Sequence, residues 1–269
     1  MRESCSLLLI YLALWLALTP PGCPGDQPAQ AEFAGIQFVR IPPGTFRMGS
    51  DKTAEELSEI YGDRVFYFQS EQPQHEVAIS QGFWLGKFEV TQTQWRALMG
   101  DNPSYDDGDN LPVEQVSWNE CLEFIDRLNA LGEGVFRLPT EAEWEYACRA
   151  STTTEFSFGD DLDLLGQYCW YFTNSGYRTH PVGGKGPNPW GLYDMHGNVF
   201  EWCQDCYGSD YYAASPPLDP QGPDDGKYRV RRGGTFARSD SFCRSAFRFW
   251  NGPDAHLSDT GLRLVCEIE

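Results

Sequence analysis

Apolar and polar residues alternate through IQFVRIPPGTFRMGS (residues 36–50), with a break at Pro42-Pro43-Gly44. Period-two alternation around a Pro/Gly turn predicts a β-hairpin. HEVAIS and GFWLGKFEVT read as further strands. The period then changes. In TQTQWRALMG, Thr91 and Gln94 form a capping box, Trp95, Leu98 and Met99 share one face, and Gly100 suits the helix stop. In SWNECLEFIDRLNALG the box is Ser117 and Glu120, with Leu122, Ile125, Leu128 and Leu131 as the stripe. In TEAEWEYACRA it is Thr140 and Glu143, with Trp144 and Ala147 inward. Beyond Ala150 no long helix is predicted, only loops and short strands rich in Gly, Pro, Trp and Asn. A few helices followed by irregular β structure predict one α+β domain over residues 36–269.

The start of the chain breaks that pattern. MRESCSLLLIYLALWLALTPPGCPGD has one Arg before an apolar run from Leu7 to Leu18. That run is shorter than the roughly 20 residues a membrane helix needs. Its layout is that of an export signal, assigned to residues 1–23. Gly22-Cys23 offers a lipoprotein end with Cys23 acylated, and Ala29-Gln30-Ala31 offers a cleavage site. A lipid on Cys23 is the one membrane attachment expected. Residues 24–35, rich in Pro, Gly, Gln and Ala, read as a linker. The implied location is the periplasm or the cell surface.

Export changes what the cysteines mean. Seven of nine lie beyond the signal, and an oxidising compartment favours disulfides over metal ligation. Seven is odd, so one thiol stays unpaired or pairs elsewhere. A net charge of −19 repels phosphate backbones, which argues against nucleic acid as a partner. Aromatic content of 14% argues against disorder.

The densest chemistry is in NPWGLYDMHGNVFEWCQDCYG. It gathers Asp194, Gly197, Asn198 and Glu201 in one turn, and carboxylates with freed carbonyls suit a hard cation such as Ca²⁺. A turn capped by Asp and Asn side chains is the alternative reading.

This stretch resembles the formylglycine-generating enzyme (sulfatase-modifying factor) family. So do IPPGTFRMGS, FEVTQTQW, PVEQVSWNE, RLPTEAEWEYACRA, HPVGGKGPNPWGLYDMHGNVFEW, RVRRGGTF and GLRLV, in family order from Ile41 to Val265. The resemblance implies a large, irregular C-type-lectin-like fold. It also implies structural calcium held by the Asp194 and Glu201 side chains and the Gly197 and Val199 carbonyls, with no second ion. A disulfide between Cys148 and Cys243 belongs to the same implication. The family's oxidase holds copper between two cysteines spaced CxxxxC after a Gly-Gly pair, because two soft thiolates bind Cu(I). Here GGTFARSDSFCRSAFR contains Cys243 alone, so neither copper nor a catalytic residue is expected. The four histidines, His75, His180, His196 and His256, stand singly and do not suggest a metal triad.

The segment from Arg231 to Val265 therefore reads as a surface. Arg238, Phe242, Phe249, Trp250 and His256 are the candidate contacts, with Arg244 and Arg248 packed inside. Between Thr235 and Thr260 there is no Lys, Glu, Gln or Met. That gap is similar to the segments of variable receptors diversified by bacterial retroelements, although Trp250 lies outside what such codons yield. The expected protein is an exported, calcium-stabilised, lectin-like binder of a protein or glycan. The alternative is an enzyme of the formylglycine-generating class.

Overall fold

The computed structural model describes residues 29–267; the expected export signal, with Cys5 and the anchor at Cys23, lies outside these residues. Five helices form: α1 (Ala54–Tyr61), α2 (Gln92–Met99), α3 (Trp118–Asn129), α4 (Glu141–Arg149) and the single turn α5 (Leu165–Tyr168). The strands are β1 (Gln30–Phe33), β2 (Ile36–Ile41), β3 (Gly44–Met48), β4 (His75–Ile79), β5 (Phe83–Gly86), β6 (Val135–Arg137), β7 (Phe200–Cys206), β8 (Arg229–Arg232), β9 (Phe249–Asn251), β10 (Thr260–Leu262) and β11 (Val265–Glu267). The fold is α+β, as the periodicity implies. None of the described helices is long and apolar enough to cross a membrane.

The capping boxes place α2, α3 and α4. In each, the Ser or Thr side chain accepts from the backbone amide of the third helical residue, whose own side chain accepts from the amide of that Ser or Thr in return. Helix α1 has the same device in Thr53 and Glu56. The predicted α3 stripe runs one turn too far, since the helix stops at Asn129 and Leu131 is exposed.

Two expectations about the first strands are corrected. β2 and β3 do not pair with each other. β2 joins a sheet ordered β1-β2-β5-β11-β6, while β3 pairs with β4 in a separate ribbon. The paired prolines between them let the chain cross from one sheet to the other, because Pro cannot donate to a ladder. The end of the supposed linker is strand β1, antiparallel to β2 with Ala31 opposite Phe38.

The third sheet, β10-β7-β8-β9, carries the C-terminal segment. Its β10 runs parallel to β7, with Gly261 opposite Glu201. Only a residue without a side chain fits there, because a Cβ on Gly261 would lie 2.3 Å from the Val113 carbonyl oxygen.

Between the sheets, buried arginines take the place of part of an apolar core. Arg232, Arg244, Arg248 and Arg263 are all fully buried. Arg244 grips Glu71 at 2.6 and 2.9 Å, Arg248 grips Glu141 at 2.6 and 2.7 Å, and Arg263 grips Glu201 at 2.7 to 3.0 Å. Arg232 pairs with Glu145 and also donates to the carbonyls of Ser245, Ala246 and Phe247. Such pairs persist because each guanidinium is matched by carboxylate and carbonyl acceptors together.

Candidate functional site: a cleft beside the C-terminal segment

The segment after Gly233-Gly234 is only partly surface. Arg238 and His256 are exposed, and His256 sits 2.9 Å from Glu120. Phe242 is buried, which corrects its expected role as a contact. Its ring lies 4.5 Å from that of Phe247 and 5.3 Å from that of Tyr67, and the Arg238 guanidinium lies over it at 5.4 Å. Phe249 and Trp250 are half-buried. Phe249 packs on Phe200, and Trp250 stacks on Tyr207 at 4.3 Å with Phe66 against its edge. Arg238, Phe242, Phe249 and Trp250 adjoin one another in that order, whereas His256 pairs with Glu120. Arg244 and Arg248 are interior, as expected.

The Cys148–Cys243 disulfide that the resemblance implies is not formed in the structure. All seven described cysteines are free and buried. The Cys148 thiol faces the Met195 carbonyl, the His196 ring and the Ser245 hydroxyl. The Cys243 thiol instead meets that of Cys169, in a small cluster with Phe156 and Leu165. Burial pushes the Cys148 thiol up to about 12 and holds His196 down at about 4, so at neutral pH the thiol stays protonated and the imidazole neutral. The family's pair of copper thiolates does not fit this segment.

The acidic turn is a different matter. Asp194 and Asn198 adopt left-handed backbone angles, φ 60° and 71°, which compress the turn. Asp194, Asn198 and Glu201 are buried, and Glu89 from the FEVT stretch joins them. Glu89 accepts from the Asn198 side chain at 2.7 Å and from the Val199 amide at 3.1 Å. Asp194 accepts from the Gly183 amide at 2.6 Å through one oxygen, while its Oδ1 is buried with no partner. No hydrogen bond to the Gly197 or Val199 carbonyl is found among the described residues. Glu201 is already engaged by Arg263 and by Trp144 Nε1 at 2.6 Å. Three carboxylates thus face one guanidinium. Burial and mutual repulsion raise Glu89 well above the usual carboxylate range, and burial lifts Asp194 to about 6. Among the described residues no group of three or more His, Cys, Asp or Glu side chains converges as a metal cage. The donors free for a hard cation are Asp194 Oδ1 and the two carbonyls, with Glu201 shared with Arg263.

A cleft of about 400 Å³ opens where the loop before α3, the loop after Trp170 and the start of the C-terminal segment meet. Glu114 forms its floor and is 1% exposed. Glu114 is fixed from both ends. Its backbone amide donates to Ser104 Oγ at 3.1 Å, and its Oε1 accepts from the Tyr105 amide. Its other oxygen, Oε2, is buried and makes no well-formed hydrogen bond, although the Asp106 amide lies near the carboxylate. The Thr179 hydroxyl, on the same lining, is also buried and unpartnered. Two orphaned polar atoms in one cleft are costly unless something else binds them. Burial raises the Glu114 carboxyl to about 7.

Aromatic rings form the rim. Tyr105 is 81% exposed and Tyr177 66% exposed. Tyr177 has φ 65°, a left-handed angle that is unusual for an aromatic residue. Its ring bridges Phe172 and Phe236 edge-to-face. Phe236 is held because Ser175 Oγ donates to its carbonyl at 2.8 Å and its amide donates to the Asn198 carbonyl at 2.8 Å. The cleft and the acidic turn therefore share one support. Sequence reading missed Tyr105, Glu114 and Tyr177. A second cleft of about 360 Å³ lies between β3 and α4, but its Arg149 is already committed to Glu145 and the Gly49 carbonyl.

Known proteins resemble this chain along most of its length. It is 37% identical over 196 residues to a formylglycine-generating enzyme of Thermomonospora curvata, covering 66% of this chain and 63% of that protein. It is 33% identical over 309 aligned positions to the Bos taurus formylglycine-generating enzyme, covering 93% of this chain and 79% of that one. Among solved structures, Treponema denticola variable protein 1 superposes with a TM-score of 0.77 at 30% identity, over 89% of this chain and 99% of that one. Residues 25–268 match the sulfatase-modifying factor enzyme 1-like domain, and the chain belongs to that family.

Proposed function

We propose that the protein is an exported binding protein that presents the Glu114 cleft, built on the sulfatase-modifying factor fold and without oxidase chemistry. The observation that carries this reading is the division of the C-terminal segment. Its one thiol, Cys243, is sealed against Cys169, while Phe236 and the exposed residues beside it frame an open, polar-floored cleft. Fold alone does not fix activity, and the cleft is where this chain has unspent binding groups. The name of the Treponema denticola protein supports a display role in which exposed positions vary. Here Arg238, Asp254, His256 and Ser258 are exposed positions in the C-terminal segment.

The test uses the full chain on arrays of glycans and of peptides, beside a Tyr105→Ala/Tyr177→Ala variant. Both rings are mostly exposed, so the variant keeps the melting temperature of the parent. Array signal that falls at least tenfold in the variant supports the cleft. The competing reading is the formylglycine-generating activity named for the relatives. Conversion of a cysteine peptide to formylglycine by copper-treated protein, detected by mass spectrometry, would sink the binding reading.

The same reading includes a structural calcium ion at the acidic turn, supported by the free Asp194 oxygen. A cation there offsets the excess of carboxylates over Arg263. Bound at a hundred times its Kd, it adds about 2.7 kcal/mol of stability. Chelator should lower the melting temperature of the parent and leave Asp194→Ala, which has no side-chain oxygen, unchanged. An unchanged parent would remove the ion from the model of the turn.

A further inference from the structure

We propose that the Glu114 cleft takes a single cationic side chain, the guanidinium of arginine or the ammonium of lysine on a polypeptide partner. This rests on the binding reading above and adds the chemistry of the ligand. Charge is the first observation. Asp106, Glu114 and Asp259 line the cleft, against one lining cation, the exposed Arg178. Arg231 Nη1 reaches Asp259 at 3.4 Å but also donates to the Thr260 hydroxyl, and its Nη2 donates to Asn251. Glu114 has no cationic partner among the described residues.

The second observation is the pair of orphaned atoms. Glu114 Oε2 accepts only, and the Thr179 hydroxyl both donates and accepts. A ligand rich in N–H donors satisfies both at once, and a guanidinium has five. A carboxylate or phosphate ligand would meet Glu114 as a like charge in a site of reduced polarity.

The rim completes the argument. Tyr105, Tyr177 and Phe236 line the cleft that holds Glu114, and the face of an aromatic ring attracts positive charge. The protein uses this contact elsewhere, with Arg229 over Trp118 at 3.8 Å and Lys185 over Trp170 at 3.7 Å. The volume of about 400 Å³ is near the small end of ligand sites and admits a single long side chain, while the choice between a side chain and a sugar rests on the charge and the orphaned atoms.

The experiment measures binding of Nα-acetyl-arginine amide, Nα-acetyl-lysine amide, the neutral isostere Nα-acetyl-citrulline amide and a methyl hexoside. Ligand-observed NMR with the full chain at pH 8 serves for all four. The expected result is binding of arginine or lysine amide at least tenfold tighter than citrulline amide, and no hexoside binding. Glu114→Gln should abolish that preference, and Asp106→Asn, at a half-buried site, should reduce it about threefold. Equal binding of arginine and citrulline amides, or a preference that survives Glu114→Gln, overturns the proposal. Absence of all amide binding also overturns it. Array signal still dependent on Tyr105 and Tyr177 would then leave the binding reading standing without its cationic ligand. Hexoside binding lost in Tyr177→Ala would assign the cleft to a glycan instead.

Discussion

Replacing Arg244 with Met tests whether the CRSAFR stretch is framework or display surface. Arg244 is fully buried and makes bidentate contact with the equally buried Glu71 at 2.6 and 2.9 Å. It also reaches Glu155 at 3.2 Å and donates to the Ser241 carbonyl. Its guanidinium lies 4.9 Å from the Phe68 ring and 5.3 Å from the Tyr61 ring. Methionine keeps much of the stem volume, so cavity formation is a small part of the effect. What remains is the Glu71 carboxylate, with its charge uncompensated in the interior. Breaking a buried pair from one side costs about 3–5 kcal/mol. For a domain of this size each kcal/mol shifts the melting temperature by about 2–4 °C. The expected fall is therefore about 6–20 °C by calorimetry. Arg244→Met/Glu71→Leu removes both charges and should recover at least half of it. Arg127→Ala is the control, since its pair with Glu123 is solvent-exposed and contributes about 0.3–0.5 kcal/mol. A fall below about 3 °C for Arg244→Met, or a double variant no better than the single, refutes the framework role.

Three further outcomes follow from the same geometry. Burial raises Glu114 to about 7, with the Tyr105 and Asp106 amides and the Asp106 and Asp259 carboxylates as its polar neighbours. Because the folded state holds this proton where the unfolded state releases it, stability falls as pH rises from near 4.5 through about 7. Glu114→Gln should remove this fall, gaining on the order of 1–2 kcal/mol at pH 8 in urea titrations after allowance for the open cleft. A pH profile unchanged in the variant contradicts the assignment. Refolding in the presence of a disulfide oxidant should cross-link Cys169 to Cys243, whose thiols meet, closing a loop of about 75 residues that adds at most about 4.5 kcal/mol. Peptide mapping that finds Cys148 joined to Cys243 would restore the pairing the family resemblance implied. Thr53→Ala should cost about 1 kcal/mol through loss of the α1 capping box, and a smaller effect than an exposed control would show that the helix end frays regardless.

What the sequence showed depended on how local the determining contact is. The boxes at Thr91, Ser117 and Thr140 are contained within four residues each, and all three helices form behind them. The box at Thr53 is equally local, but α1 buries only Ala54 and Leu57 and so lacks the apolar stripe that draws attention to a helix. The roles of Arg244 and Arg248 were legible as interior, while their partners were not. Glu71 and Glu141 lie 173 and 107 residues away in sequence. Phe242 was misread because a surface aromatic and a core aromatic look the same without their neighbours, here Tyr67 and Phe247. The cleft escaped for the same reason. Its floor comes from the PVEQ stretch, its rim from Tyr105 earlier in the same loop and Tyr177 in a distant one, and neither Tyr belongs to a periodic pattern.

The buried ion pairs explain how one segment can be both framework and binding surface. From Phe242 to Arg248 every residue is buried. Arg244 ties this stretch to Glu71, Arg248 ties it to Glu141, and Arg232 collects the carbonyls of Ser245, Ala246 and Phe247. These contacts use charged groups and backbone, so they fix the path of the chain without depending on the residues that flank it. On either side the chain emerges, at Arg238 before the buried stretch and at Asp254, His256 and Ser258 after it. Substitution at those four positions changes what the face presents without removing a buried partner. Surface changes of that kind usually alter stability by no more than about 0.5 kcal/mol. Glu114 and Thr179 come from other parts of the chain, so the cleft floor stays constant while its surroundings vary. A fixed polar floor beneath a changeable margin keeps one mode of anchoring and leaves the choice of partner to the margin.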